Sequence, residues 1–289
     1  MLVCDAPRPN KARTQRCGAF VIMLGLPSQP SLLQSSGLTI VHETKGLLFV
    51  DKPPGLSFHA SGALGDPGIL PLLRAGAYST AERLHSVHRL DRVTSGLLMV
   101  AKSAEAAREV GVLLREQRIH KYYVALTARK PSKKMGRVSG DMERSRRGSW
   151  KLLRSMDNPA VTDFVSRTAG DDDAPTRRAL LLKPRTGRTH QLRVALKALS
   201  SPVLGDPLYA AAHAAAEEER AYLHATALRL PAGMPALTDD ASPIEVICAP
   251  TAGAAFNTAA FRDAWTFWFG DVRGRGVWFE GTPVASQLD

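Results

Sequence analysis

The apolar run Gly96–Ala101 constrains the fold more than any other stretch, because six uninterrupted apolar residues have the length of a buried strand. Ser103 follows it as a candidate helix N-cap, and Ala104–Gln117 carries apolar side chains at helical spacing. The next segment, Tyr122–Thr127, is rich in aromatic and β-branched residues, which favour strands. The pattern therefore predicts a strand, a helix and a second strand in this order.

Further strands are predicted on both sides of this unit, beginning with Leu38–His42 and Leu47–Asp51, which are joined by a turn near Lys45 and Gly46. Hairpins mixed with helices, without regular alternation of strand and helix, favour an α+β fold over a doubly wound sheet. The other predicted elements are a short helix within a loop at 57–80, strands Arg178–Leu182, Tyr222–Leu230 and Ile244–Ile247, and helices Gln191–Leu199 and 210–221.

The sequence gives no reason to expect a cofactor or a metal. It contains neither GxGxxG nor GxxxxGK[ST], the glycine-rich motifs that bind nucleotide cofactors, and no GxSxG hydrolase motif. His85 and His88 have HxxH spacing, but apart from Asp91 no acidic or cysteine partner lies at a ligand-like offset. We therefore predict an activity that uses neither a cofactor nor a metal ion.

Residues 1–36 resemble a leader, because they lack sustained periodicity and are shorter than an independent domain. An organelle transit peptide and an arbitrary flexible start are both open. We expect a catalytic domain at 37–289, in the cytoplasm unless the leader directs the protein to a mitochondrion or plastid. The odd number and wide separation of the cysteines favour a reducing compartment; they are Cys4, Cys17 and Cys248.

The charge balance favours a polyanionic partner. The chain has 38 Lys and Arg against 27 Asp and Glu, a net charge of +11, and a pI of about 9.9. Such a surplus is typical of proteins that bind nucleic acid or an anionic membrane face, although an unspecialised basic surface has the same composition. No apolar run reaches the length that spans a membrane.

Much of the positive charge lies in segment 129–154, where ten basic residues stand against two acids, a net charge of +8. We predict a long hairpin or loop that projects from the core and binds the backbone of a nucleic-acid partner. A solvated loop that only aids solubility is the alternative. The predicted nucleic-acid contacts in this segment are Lys133, Lys134, Arg144, Arg146 and Arg147.

The segment His88–Gly96 places one carboxylate, Asp91, between Arg89 and Arg92, directly before the predicted buried strand. Nearby guanidinium groups favour the ionised carboxylate. Functional residues often occupy such loops at strand ends, although a surface salt bridge would have the same pattern.

Two other clusters are rich in basic or aromatic residues. Lys183–Arg193 places Arg185, Arg188 and His190 on a turn that leads into a helix, which favours anion binding, although a solvated basic turn is equally compatible. Lys121-Tyr122-Tyr123 combines positive charge with aromatic rings, which suits base stacking, but core packing also explains it.

In this order, the clusters resemble the RluA-type pseudouridine synthases. HRLDRVTSGLLMVAKS resembles the catalytic-aspartate motif of the family, KYYVAL its tyrosine motif, and LLKPRTGRTHQLRVALKALSSPVLGDPLYA its arginine motif. LLFVDKPPGLSFHAS and YLHATAL resemble further family segments, so that the resemblance spans residues 38–247. GDMERSRRGSWKLL at 140–153 resembles a branch without an appended RNA-binding domain.

The resemblance implies a mixed, largely antiparallel sheet with flanking helices and a central RNA-binding cleft, and we expect a monomer that acts on rRNA or tRNA. It makes Asp91 the catalytic aspartate and Tyr123 the residue that stacks on the target base. Arg193 is the expected partner of the aspartate, with Arg188 as the second candidate. Arg89 matches the position that inserts into the RNA where the base leaves.

Two alternatives belong to other functional classes. A non-catalytic RNA-binding or RNA-chaperone protein on the same scaffold would explain the charge, but it gives no reason for a lone Asp91 among arginines. A glycosidase-like hydrolase would need two cooperating carboxylates, and no second acid stands out near these motifs.

Overall fold

The computed structural model of the chain describes residues 20–22, 36–60, 67–76 and 84–270. Eleven of the described strands form one sheet, and two more form a separate hairpin. The strands are β1 (Phe20–Ile22), β2 (Thr39–Glu43), β3 (Leu47–Lys52), β4 (His85–Ser86), β5 (Ser95–Ala101), β6 (His120–Thr127), β7 (Met135–Gly140), β8 (Met142–Arg144), β9 (Trp150–Leu152), β10 (Ala160–Thr168), β11 (Arg178–Pro184), β12 (Leu223–Leu230) and β13 (Ile244–Ile247).

The main sheet is mixed and largely antiparallel, which confirms the expected fold class. Its order is β2-β3-β5-β12-β6-β11-β10-β7, with β4 beside β5, and with β13 beside β12 and in turn beside β1. Within this sheet only β12 with β5 and β1 with β13 pair in parallel. β5 belongs to the segment of the aspartate motif, and β6 belongs to the segment of the tyrosine motif. The sheet order therefore puts these two strands on either side of β12.

The helices pack against the sheet through buried apolar side chains, except for the short helix Ala212–Ala216, which has no buried residue. Because side chains alternate along a strand, Leu97 and Leu98 pack into different core clusters. Ser103 caps its helix as predicted, accepting a hydrogen bond from the backbone N–H of Ala106 at 3.1 Å. The helices are α1 (Ile69–Gly76), α2 (Ala104–Arg115), α3 (Gln191–Ala198), α4 (Ala212–Ala216) and α5 (Ala259–Phe269).

The basic segment differs from the expected projecting loop in its first half. Met135–Gly140 is the edge strand β7, which pairs with β10 in the main sheet. Only β8 and β9, which pair as a short hairpin, leave that sheet. An edge strand has one unpaired side and half-exposed side chains, so polar residues are compatible with it. We call residues 142–152 the basic hairpin.

The sequence reasoning also missed β10 and α5 and overestimated one helix. β10 carries Thr162, Asp163 and Ser166 at buried positions, so it lacks the apolar pattern of a strand. The helix predicted at 210–221 was wrong in length: α4 ends at Ala216. The chain must then turn, because the backbone N–H of Tyr222 bonds the Leu204 carbonyl at 2.8 Å, directly before β12.

Most of the predicted leader lies outside the described residues, but Phe20–Ile22 forms β1, which adds a parallel strand beside β13. The proposed division at residues 36 and 37 stays a prediction. In the part of the chain that the structure describes, no helix has the length and apolar character needed to cross a membrane.

Gly96 sets how closely β5 approaches β12. Its φ of 103° lies in a region that side chains rarely adopt, and an added Cβ would lie 2.2 Å from the Ala225 carbonyl oxygen. Because Gly96 and Ala225 are register partners, this contact fixes the parallel pair just after the Asp91 loop.

We expect Gly96→Ala to lower the free energy of unfolding by about 3 kcal/mol or more, because backbone strain and a backbone clash add. Gly233→Ala is the matched control, since Gly233 also has a positive φ of 75° but no atom near an added Cβ. The control should lose only about 1 kcal/mol. Urea unfolding of both variants measures the difference, and equal losses would show that the approach of β12 does not matter.

Candidate active site

A cleft of about 510 Å³ opens where the loop before β5, the start of β6 and the turn between β11 and α3 meet. This volume suits a nucleotide-sized ligand. Asp91 is the only acidic residue among the described residues that line it. The lining is otherwise strongly basic, with Arg89, Arg115, Lys121, Arg185, Arg188 and Arg193.

Asp91 bonds Arg193, which is itself buried. The Arg193 Nη1 atom donates to Asp91 Oδ2 at 3.2 Å. The side chain of Arg193 is 4% exposed and that of Asp91 is 20% exposed, so the carboxylate keeps one side open to the cleft. Arg193 and Arg188 were the two candidates for this contact, and in the structure Arg193 bonds the aspartate.

Asp206 holds Arg193 from the other side and was missed by the sequence reasoning. Its Oδ2 and Oδ1 atoms accept from Arg193 Nε at 2.7 Å and Nη2 at 2.8 Å, and it is fully buried. Burial alone would lower the pKa of Arg193, but the bonds and charges of Asp206 and Asp91 outweigh it and raise that pKa. A lone acid after the apolar pair Val203-Leu204 is the signal that could have identified Asp206.

Arg188 has a different partner and does not bond Asp91. Its Nη2 donates to the carbonyl and to the side-chain oxygen of Asn158. Asn158 in turn donates its backbone N–H to Asp141 at 2.8 Å, next to the basic hairpin. Arg188 therefore ties the β11–α3 turn to the base of that hairpin.

The two arginines that flank Asp91 in the sequence have different surroundings in the structure. Arg92 turns away, because its Nε donates to the Gly55 carbonyl at 2.8 Å. Arg89 is exposed and lines the cleft, which is compatible with its predicted insertion into RNA.

The two tyrosines of the third cluster lie on opposite faces of β6, as alternation predicts. Tyr122 is buried in the core cluster that contains Phe256, whereas Tyr123 lines the cleft. Burial and the charge of Asp91 raise the pKa of Tyr123, so its phenol stays protonated at neutral pH. Lys121 shares the cleft face with Tyr123, and burial lowers its pKa.

His190 lies at the start of α3, beside Asp91. Its Nε2 atom is 4.0 Å from Asp91 Oδ2, and its Nδ1 is 2.9 Å from the Tyr209 hydroxyl. Burial lowers the pKa of His190, while Asp91 opposes this shift, so the imidazole is largely neutral at pH 7. Its predicted contact with RNA stays a prediction.

The predicted RNA contacts of segment 129–154 are all exposed but fall into two groups. Lys133 and Lys134 precede β7, whereas the other three residues follow β7 and lie in the basic hairpin. A six-residue strand spans about 20 Å, so the groups are well separated. The hairpin group comprises Arg144, Arg146 and Arg147, and the hairpin contacts Tyr209, which in turn bonds the cleft residue His190.

Asp51, His224 and Cys248 offer ligand atoms within 4.8 Å of one another, on the sheet face opposite the cleft. Both imidazole nitrogens already have partners, Ser95 Oγ at 2.8 Å and the Cys248 carbonyl at 3.1 Å. The Arg220 guanidinium also donates to Ser95 Oγ, at 2.7 Å. A satisfied network beside a cation does not suit a metal ion.

His88, one of the two histidines with HxxH spacing, is also hydrogen-bonded within the protein. Its Nε2 accepts the backbone N–H of Met99 at 2.9 Å, and burial lowers its pKa to about 3. This histidine thus supports the strand β5.

Comparison with known proteins identifies relatives. Residues 46–198 match the RNA pseudouridylate synthase family. An uncharacterized RNA pseudouridine synthase of Haemophilus influenzae is 42% identical, over 66% of this chain and 81% of its own. The dual-specificity RNA pseudouridine synthase RluA of Escherichia coli is 35% identical, over 68% and 88%. The structure of human RNA pseudouridylate synthase domain containing 1 superposes with a TM-score of 0.59 at 30% identity, over 78% of this chain and 86% of that one.

We expect Asp206→Ala to lower the free energy of unfolding by about 3–5 kcal/mol, because it leaves buried Arg193 without its main partner. Asp163→Ala is the matched control. Asp163 also bonds two guanidinium groups, but those of Arg137 and Arg185 are 58% and 38% exposed and stay hydrated. The control should lose about 1 kcal/mol. Urea unfolding measures both, and a loss from Asp206→Ala as small as the control's would contradict a supporting role for this carboxylate.

Proposed function

Because the chain belongs to the RluA-type RNA pseudouridine synthases, isomerases that act on uridine in RNA, we propose that Asp91 is its catalytic carboxylate, with Tyr123 and Arg193 as its partners. The bond from Arg193 to Asp91 within a basic cleft carries this assignment. It gives a single carboxylate a fixed orientation toward bound RNA.

The isomerisation breaks the N1–C1′ bond of uridine and forms a C5–C1′ bond. C5 loses a proton and N1 gains one, so there is no net oxidation or group transfer and no cofactor is required. Addition of Asp91 to the base, addition to the sugar and removal of a sugar proton all need one ionised carboxylate. Arg193 bonds the Asp91 carboxylate, and Asp206 keeps Arg193 in place.

The target base must leave the RNA stack to reach Asp91. An aromatic ring on the cleft wall would support a flipped base, and the position of Tyr123 in the cleft lining supports this role. Its protonated hydroxyl adds no charge beside Asp91. Arg89 is exposed at the cleft and would fill the space that the base leaves in the RNA.

The two alternatives fit the site less well. A hydrolase with two carboxylates would need a second free acid, yet both oxygens of Asp206 accept from Arg193, and Oδ1 also accepts two backbone N–H groups. A non-catalytic RNA-binding protein would gain nothing from an aspartate that a buried arginine holds inside a basic cleft.

The substrate we propose is structured RNA, either rRNA or tRNA, bound by a cytoplasmic monomer whose catalytic domain comprises residues 37–289. Arg188 and His190 contribute to the RNA-binding wall of the cleft. The basic hairpin extends this surface, since it is anchored next to Arg188 and Tyr209. Lys133 and Lys134 lie farther away and would contact only RNA that extends along β7.

We expect Asp91→Asn to abolish product formation, to below about one per cent of the wild-type rate, while RNA affinity changes only a few-fold. Tritium release from [5-³H]uridine-labelled total RNA of cells that lack this gene measures activity. Asp171→Asn is the control and should keep full activity, because Asp171 pairs with Arg177 away from the cleft. Residual activity well above that limit would rule out Asp91 as the catalytic group.

The hairpin proposal predicts a change in the salt dependence of binding. Each lost phosphate contact should flatten the slope of log K against log salt by roughly 0.7–0.9. Arg144→Ser, Arg146→Ser and Arg147→Ser together should flatten that slope for an unmodified tRNA transcript, and leave the rate at saturation nearly unchanged. The pair Lys133→Ser and Lys134→Ser should have the smaller effect per charge. Equal effects per charge would mean that RNA follows the whole segment.

A further inference from the structure

Tyr209 connects the basic hairpin to the residues around Asp91. Its hydroxyl oxygen accepts the backbone N–H of Trp150, in β9, at 2.9 Å. The same hydroxyl lies 2.9 Å from Nδ1 of His190, and the two rings meet edge to face with centroids 5.7 Å apart. One side chain thus contacts both the hairpin backbone and a neighbour of the catalytic carboxylate.

The direction of these hydrogen bonds follows from their donors. A backbone N–H can only donate, so the Tyr209 oxygen accepts from Trp150 and its own proton is available to Nδ1 of His190. Burial keeps the imidazole neutral, and a neutral imidazole that accepts at Nδ1 carries its proton on Nε2. The Nε2 nitrogen lies 4.0 Å from Asp91 Oδ2.

The backbone holds both side chains in these positions. His190 has a left-handed conformation with a φ of 57°, and its ring lies beside Asp91 at the start of α3. Asp206 Oδ1 accepts the backbone N–H of Tyr209 at 3.2 Å, and the Arg193 guanidinium lies 5.0 Å from the centre of the tyrosine ring. Tyr209 therefore contacts the two groups that support Asp91.

We propose that Tyr209 and His190 are positioning residues that couple the seating of the basic hairpin to the orientation of Asp91. The Trp150 N–H fixes the Tyr209 hydroxyl, the hydroxyl fixes the tautomer and ring of His190, and the imidazole N–H faces Asp91. The inference rests on the proposed function and predicts an effect on turnover rather than on affinity.

Tyr209→Phe tests this proposal, because it removes only the hydroxyl and keeps the ring beside Arg193. Tyr222→Phe is the matched control, since Tyr222 is also buried, also accepts a backbone N–H, from Ala255 at 3.3 Å, and also lies under an arginine, Arg220. Single-turnover tritium release with enzyme in excess over the labelled RNA gives the saturated rate and the half-saturating enzyme concentration. Unfolding of both variants shows whether their losses of stability match.

Tyr209→Phe should lower the saturated rate about tenfold, the size of one lost positioning hydrogen bond, and change the half-saturating concentration less than about threefold. Tyr222→Phe should change neither by more than about twofold. If Tyr209→Phe has a saturated rate like that of the control, the proposed coupling is wrong. A change in the half-saturating enzyme concentration alone would also contradict it, since the tyrosine would then only hold the hairpin in position.

His190→Asn supplies the second arm, because asparagine tolerates the left-handed backbone but removes the ring. It should also slow the saturated rate, and the double variant should be no slower than the slower single variant, since both changes break one pathway. Fully additive losses would reject the coupling. If Asp91→Asn is inactive while the Tyr209 and His190 variants match the control, the proposed coupling is wrong and the proposed function stands. An active Asp91→Asn would instead overturn the proposed function.

Discussion

The buried ion pair between Arg193 and Asp206 is the interaction on which the rest of the site depends. Removing a guanidinium and a carboxylate from water is costly, and the cost is offset only when their hydrogen-bonding atoms find partners. Asp206 uses both oxygens on Arg193 and also accepts the backbone N–H groups of Leu208 and Tyr209. The remaining Arg193 nitrogen, Nη1, is thereby aimed at Asp91, 102 residues earlier in the chain.

The sheet supplies the second constraint by bringing the loop that carries Asp91 to this arginine. β5 and β12 pair in parallel only where Ser95 and Gly96 meet His224 and Ala225. Behind that contact, Arg220, Ser95, His224 and the Cys248 carbonyl form a chain of hydrogen bonds. A polar network is stabilising in a core when each member is satisfied, and here it fixes the start of β5 from the face opposite the cleft.

The cleft combines exposed arginines with arginines that are already paired. Arg89 and Arg115 are exposed at the cleft and available to phosphate groups, whereas the guanidinium groups of Arg193 and Arg185 are already bonded by Asp206 and Asp163. Asp91 keeps an open side within this field, so a cleft that attracts an anionic substrate also exposes one carboxylate, the proposed catalytic group. The basic hairpin meets the same cleft through Tyr209, which is why its position can bear on Asp91.

Local patterns in the sequence determined the strands around Gly96–Ala101 and Tyr122–Thr127, the cap at Ser103, the opposite faces of Tyr122 and Tyr123, and Asp91 as the candidate acid. These depend on residues within a few positions of each other, where helix and strand periodicity act. β10 escaped prediction because Asp163 is buried there against arginines that only tertiary pairing brings near. The family resemblance already favoured Arg193 over Arg188 as the partner of Asp91, and the structure shows this contact. The contacts of Asp206 with Arg193 and of Tyr209 with His190 and Trp150 were decided by the tertiary structure alone, because each depends on how the strands are ordered and on which buried charges must find partners.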